Sequence, residues 1–126
     1  MTESRRAEGK QGEDLAADFL ARHGLKVVER NFRCPIGEID IVAKDSAAVV
    51  FVEVRARKAG SRAYHLLAQE SVSQKKQWRL TRLAQWYIKR HGLERLPARF
   101  DVIGVTWGED GTPELSWIVN AFETRG

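Results

Sequence analysis

Two acidic residues sit where β-strand alternation would aim them at one another. Asp40 lies in the alternating run Glu38-Ile39-Asp40-Ile41-Val42-Ala43, and Glu53 in Val49-Val50-Phe51-Val52-Glu53-Val54-Arg55, the most β-prone segment of the chain. Side chains alternate across a strand, so Glu38, Asp40 and Val42 share one face, as do Val49, Phe51, Glu53 and Arg55. If the runs form an antiparallel hairpin whose paired residue numbers sum to 93, residues 45–48 are the loop and Asp40 lies opposite Glu53. Like charges so placed repel, and carboxylates near a sheet interior resist desolvation. A hard divalent cation, Mg²⁺ or Mn²⁺, would compensate them, since it takes oxygen ligands and often only one or two carboxylates, with water and phosphate completing its shell. The spacing equally allows both acids to lie at exposed strand ends, paired with Arg55 or Arg33.

Two further charged residues fall in register with apolar helix faces. Glu13 precedes Ala16, Ala17 and Leu20 by three, four and seven positions, which continues the sheet-facing side of a first helix. An acid in a first helical turn also simply complements the helix dipole. Lys76 precedes Leu80, Leu83 and Tyr87 by four, seven and eleven positions, so its ammonium either snorkels to the rim of the core or meets an anion at the site.

Cations follow the two acids closely. Residues 54–100 hold twelve Lys/Arg against two Asp/Glu, whereas 1–53 and 101–126 carry net charges of −2 and −4. With a pI near 9.5, this asymmetry points either to a solvated basic face or to nucleic acid, the commonest anionic partner of a soluble basic domain. Arg55, Arg57, Lys58 and Arg62 begin where the acid-bearing strand ends, as a phosphate-binding loop should. Arg33, Lys75 and Arg79 complete the expected nucleic-acid-binding set. No helix-turn-helix, zinc-finger or RNA-recognition motif is visible, so binding should rest on backbone charge and DNA shape.

Other chemistry-bearing residues have ordinary roles to fill. His23 and His91 each precede a glycine at a helix end, where an imidazole caps carbonyls. His65 belongs to the basic loop. Trp78 and Trp86 are eight apart on a helix and are expected at the edge of the core or at a protein interface, with base stacking as the alternative. Trp107 and Trp117 suit core or cross-strand packing, and Asp101, after Arg99-Phe100, suits an ion pair, with support of the site from a neighbouring strand as the alternative. Cys34, the single cysteine, can form neither an intramolecular disulfide nor a thiolate cluster, which agrees with a reducing compartment.

The elements that must position these residues can be read in order. A polar, aperiodic tail at 1–10 precedes a helix at about 11–23. A short strand over 25–32 leads to the Pro35-Ile36-Gly37 turn and the two runs above. The basic segment 56–70 is aperiodic, with a helical turn near Leu66, and a long helix follows at 72–90. Strands at 100–107 and 115–119 flank the turn Gly108-Glu109-Asp110-Gly111. The order αβββαββ predicts an α/β fold: a mixed sheet of about five strands flanked by helices, in one domain over 11–123. No run approaches the roughly 18 apolar residues of a membrane span and no signal core follows the N-terminal arginines, so the expected location is the cytoplasm.

Taken in sequence, Gly12-Glu13, Asn31-Phe32-Arg33, Gly37-Glu38-Ile39-Asp40, Phe51-Val52-Glu53-Val54-Arg55, Lys76, Arg99-Phe100-Asp101 and Asn120-Ala121-Phe122 resemble the YraN family of small bacterial proteins. The resemblance runs from about residue 8 to 123. That family is similar to archaeal Holliday-junction resolvases within the PD-(D/E)XK nuclease superfamily, which implies a restriction-endonuclease-like fold. The resemblance further implies that Asp40 and Glu53 ligate Mg²⁺ or Mn²⁺, with the Val54 carbonyl as a third oxygen and Glu13 reaching a bound water or a second metal. Arg55 and Lys76 complete the implied catalytic set. Arg55 occupies the superfamily's usual lysine position, and a guanidinium that never deprotonates cannot be a general base, though it can clamp a phosphate bidentately. The function so implied is endonucleolytic hydrolysis of structured or branched DNA in repair or recombination, and a resolvase would need a symmetric homodimer. A non-cleaving nucleic-acid-binding module of the same fold is the alternative, and a partner-protein adaptor using the Trp-bearing helix is a third.

Overall fold

The structure, a computed structural model, describes the backbone of residues 2–58 and 73–122 and the side chains of 9–57 and 73–122. Among the described residues seven elements follow in order: α1 (Thr2–Arg22), β1 (Lys26–Cys34), β2 (Gly37–Lys44), β3 (Val49–Lys58), α2 (Gln74–Arg90), β4 (Ala98–Trp107) and β5 (Pro113–Phe122). The strands form one sheet in the order β1-β2-β3-β4-β5. Neighbours are antiparallel except β3 and β4, which run parallel. A parallel pair needs a crossover, and α2 lies within the one that links these two strands. The expected α/β class, mixed sheet and element order are all present.

Alternation in β3 explains why this segment is the most apolar in the chain. Val50 and Val52 pack with Ile41, Ala43, Ile103 and Val105 against Ala16 and Leu20 of α1. Val49 and Phe51 pack with Val42, Phe100 and Val102 against Leu80, Leu83, Ala84 and Tyr87 of α2. A strand covered on both faces keeps no solvent side, so its inner part reads as a continuous hydrophobic run. The expected stripe on α2 is therefore the one that packs.

α1 begins at Thr2 rather than near residue 11. The preceding residues were expected to be an aperiodic tail, but Glu3, Arg5, Arg6, Ala7, Glu8 and Lys10 are helix formers, and a single Gly9 does not interrupt them. Gly12 matters more, because a Cβ there would lie 3.0 Å from Ala56 Cβ and 3.8 Å from Val54 Cγ1. A side chain here would press on Ala56 and require it to give by a few tenths of an ångström, so glycine favours this close approach of the helix to β3.

Two bulges shape the sheet. The β1–β2 register shifts between Val27 and Glu29, and Asn31 in the same strand takes φ 54°. At the far edge the β4–β5 register shifts between Phe100 and Val102, and Asn120 takes φ 55°. Asp101, 1% exposed, fills that second irregularity. Its carboxylate accepts the Asn120 N–H at 2.8 Å, Trp117 Nε1–H at 2.9 Å and Arg99 Nε–H at 3.1 Å. Arg99 also donates to Asp45 at 2.7 Å, tying the β2–β3 turn to β4. Asp101 thus forms the expected ion pair, embedded in a wider network.

The expectations for the helix-end histidines and the terminal-hairpin tryptophans hold as well. His23 and His91 bond the carbonyls of Phe19 and Tyr87 at the ends of their helices, and Trp107 and Trp117 pack against the α1-side core. Arg62, His65 and the helical turn expected near Leu66 lie outside the described residues, as does the side chain of Lys58. Among the described residues no helix is long and apolar enough to cross a membrane.

Candidate acidic site at the β2–β3 divergence

The hairpin pairs Ile41 with Val52, Val42 with Phe51, Ala43 with Val50 and Lys44 with Val49. Each pair sums to 93, the register that sets Asp40 opposite Glu53. At that next position the backbone ladder gives way to a side chain, and the Val54 N–H donates to Asp40 Oδ2 at 2.8 Å. The N–H and C=O of one strand residue point to the same neighbour, so the Val54 carbonyl also faces the β2 side. The strands diverge here, and Asp40 and Glu53 line a cavity of about 300 Å³ together with Lys76 and Arg79 of α2. Phe51 and Leu80 contribute to its apolar floor.

Charge in this cavity is unevenly matched. Burial pushes the Asp40 carboxyl up to about 6 against the help of the Val54 N–H, and the carboxylates of Glu13, Glu53 and Glu38 add to the rise. Glu53 is 14% exposed, with Oε1 ion-paired to Lys76 Nζ. Its Oε2 is buried without a hydrogen-bond partner, and Arg55 lies 3.6 Å from it. A half-buried aspartate short of counter-charge, beside a carboxylate oxygen short of a donor, offers two hard oxygen donors. These two residues fit a divalent cation.

Lys76 owes its place to the start of α2. Ser73 caps the helix and its Oγ accepts the Lys76 N–H at 3.2 Å, while the first turn contains no acid. A lysine there opposes the helix dipole, and Glu53 supplies the compensating charge. Lys76 thereby pairs with Glu53 at the wall of the cavity.

Glu13 is not gathered into the same cavity. Gly12 lets α1 approach β3, but Glu13 opens into a separate hollow with Lys10, Asp14, Arg30 and Asn31. Burial raises its carboxyl, while the Arg30 charge and a hydrogen bond from Asn31 lower it. It remains near enough to add to the rise at Asp40. Among the described residues no three His, Cys, Asp or Glu are grouped to hold a metal ion, and Glu13 lines a different hollow from Asp40 and Glu53. The reason is topological: α1 and α2 cover opposite faces of the sheet. Asn31, whose partnership with Glu13 sequence reasoning missed, had one available signal, an asparagine within a β-prone run where a left-handed residue was needed.

The expected cationic residues separate into groups. Arg55 is half-buried beside Glu53, and Arg57, two residues further along the same face of β3, is exposed. Arg33 is engaged with Glu38 across the β1–β2 pair at 3.2 Å. Lys75 and Arg79 are exposed on α2, with Arg79 at the cavity wall. Trp78 and Trp86, expected at the edge of the core or at a protein interface, are 63% and 40% exposed, which sets aside full core packing.

A family model described as "Uncharacterised protein family UPF0102" matches residues 12–105. A UPF0102 protein of Syntrophotalea carbinolica is 43% identical over 126 residues, covering 100% of this chain and 99% of that protein. Another, from Moorella thermoacetica, is 47% identical over 105 residues, covering 83% of this chain and 85% of that protein. Among solved structures, Pyrococcus furiosus SfsA in complex with Ca²⁺ is similar with a TM-score of 0.44 at 15% identity. That similarity covers 92% of this chain and 64% of SfsA, so the chain spans less than two thirds of that protein.

Proposed function

The chain belongs to the family UPF0102, the family its motifs identify as YraN, and from that premise we propose that it is a metal-dependent endonuclease acting on structured or branched DNA in the cytoplasm. The observation that carries the reading is the Asp40–Glu53 pair: two carboxylates on neighbouring strands, one with a raised pKa and the other with a buried oxygen that accepts no hydrogen bond. Mg²⁺ or Mn²⁺ bound there would neutralise the pair and supply Lewis acidity and an activated water for phosphodiester hydrolysis.

The protein's own groups prepare the site. The Val54 N–H fixes the orientation of Asp40, and Lys76 holds Glu53. Arg55, permanently charged, sits beside Glu53 where it can stabilise negative charge on the phosphate but cannot remove a proton from water. Arg79 and Arg57 extend positive charge outward for the flanking phosphates. A resolvase would need two such sites in a symmetric homodimer, whereas single-site cleavage of a fork or flap would not.

Purified protein incubated with branched, single-stranded and duplex DNA in Mg²⁺ or Mn²⁺ tests the reading. Cleavage should occur in at least one metal, be absent in EDTA, and fall at least a hundredfold in Asp40→Ala and Glu53→Ala. Cleavage that survives both substitutions would contradict the site. The engagement of Lys76 by Glu53 and the arginine at position 55 favour a second reading, a binding module that cleaves nothing. Salt-sensitive DNA binding without turnover in either metal would support it.

A further inference from the structure

α2 carries six Lys/Arg and no Asp or Glu. Trp78, Arg82 and Trp86 follow one another at intervals of four, which stacks them along a single outward stripe. By the same geometry Lys75, Arg79 and Lys89 border it, and all are exposed. The Arg82 guanidinium lies 5.0 Å from the centre of the Trp78 ring, showing that this indole already accepts a flat cation on its face. Neither tryptophan is needed by the core, whose α2 contribution is Leu80, Leu83, Ala84 and Tyr87.

An exposed indole on a helix without acids is matched by a ligand that offers flat π faces and regular negative charge. Protein interfaces favour Trp and Arg as well, but they are depleted in lysine at their centres, and this stripe is bordered by lysines. Unpaired nucleotides satisfy both demands, since every base presents a stacking face and every linkage a phosphate. Eight residues of helix span about 12 Å, roughly three to four bases at a rise of 3.4 Å. Arg79 belongs both to this face and to the wall of the acidic cavity, so the two surfaces are continuous.

We propose that the outward face of α2 is a stacking platform for single-stranded DNA, with Trp78 and Trp86 taking bases and Lys75, Arg82 and Lys89 taking phosphates of an unpaired segment adjoining the cleavage site. Stacked bases displace the Arg82 guanidinium from Trp78 toward the backbone. The substrate class is thereby narrowed to DNA with an exposed single strand, such as a flap or fork, in preference to a fully paired four-way junction. This narrowing rests on the nuclease reading, but the binding face itself does not.

Fluorescence anisotropy in EDTA, where cleavage cannot contribute, separates the two. The full-length protein is titrated against a labelled oligothymidylate of about 20 nucleotides and a duplex of equal length. The double variant Trp78→Ala/Trp86→Ala should bind the single strand at least tenfold more weakly and the duplex within about twofold of the parent, with an unchanged salt slope. Trp78→Phe/Trp86→Phe should retain most of the single-strand affinity, and Arg82→Gln should lower the salt slope by roughly 0.7. Single-strand binding within twofold of the parent in the alanine variant would overturn the proposal. Equal losses on both DNAs, or dissociation of a dimer with DNA binding intact, would also overturn it. Because the readout needs no turnover, loss of the stacking effect and loss of cleavage are distinguishable outcomes.

Discussion

At Asp40 folding and the proposed metal-binding role make opposite demands. Its carboxyl is pushed up to about 6 by burial, with neighbouring carboxylates adding to the rise. A folded-state pKa above the unfolded value of 3.8 makes a stability contribution that is complete below about pH 3.8 and lost as pH rises through about 6. At pH 7.5 without metal the ionised group therefore costs stability. Asp40→Asn keeps an acceptor for the Val54 N–H and removes the charge, so it should raise the unfolding free energy by roughly 1–3 kcal/mol. In denaturant melts that gain should disappear near pH 3.5, and Mg²⁺ should narrow it at pH 7.5 by stabilising only the parent. A variant no more stable than the parent at pH 7.5 in EDTA would argue against a strained carboxylate. The opposition of Asp40 and Glu53 was legible in the sequence because alternation and a short loop leave little freedom of register. The Val54–Asp40 bond and the separate hollow of Glu13 were not, since both depend on how strands diverge and which face a helix covers.

Between elements, Gly12 and Asp101 bear the structural burden of the site. Gly12 brings α1 within 3.0 Å of the Ala56 Cβ, measured to the Cβ it lacks. Gly12→Val should lift the helix from β3 and cost about 1–3 kcal/mol, read in equilibrium unfolding. Asp101→Ala would strand the Asn120 N–H, Trp117 Nε1–H and one face of Arg99. Breaking a buried hydrogen-bonded charge pair of this kind should cost about 3 kcal/mol or more, measurable in the same experiment. If either variant unfolds like the parent, the packing described for it is wrong. Strand identities and the α2 stripe were readable from period alone. The bulges opposite Asp101 and in β1 were not, because a bulge is set by cross-strand pairing and leaves only an asparagine as its local trace.

For the molecule as a whole, residues 54–100 hold twelve Lys/Arg against two Asp/Glu, and among the described ones α2 brings Lys76 and Arg79 to the acidic cavity while β3 sets Arg55 beside Glu53. Two carboxylates therefore lie beside basic side chains, and under the proposed reading, with a divalent cation on the acids and phosphate on the bases, the combination would suit phosphodiester chemistry better than either feature alone. The αβββαββ succession and the mixed sheet were available from the chain; the exposure of Trp78 and Trp86 was not, since periodicity does not say how far a helix edge stands from its sheet. The most direct test of the central claim compares the parent with Glu53→Gln on a forked DNA bearing an unpaired arm, with rates measured in Mn²⁺ and in EDTA. Metal-dependent cleavage by the parent, reduced at least a hundredfold in the variant while DNA binding in EDTA stays within a few fold, is the predicted result. Equal cleavage by both proteins, or none by the parent in either Mg²⁺ or Mn²⁺, would contradict it.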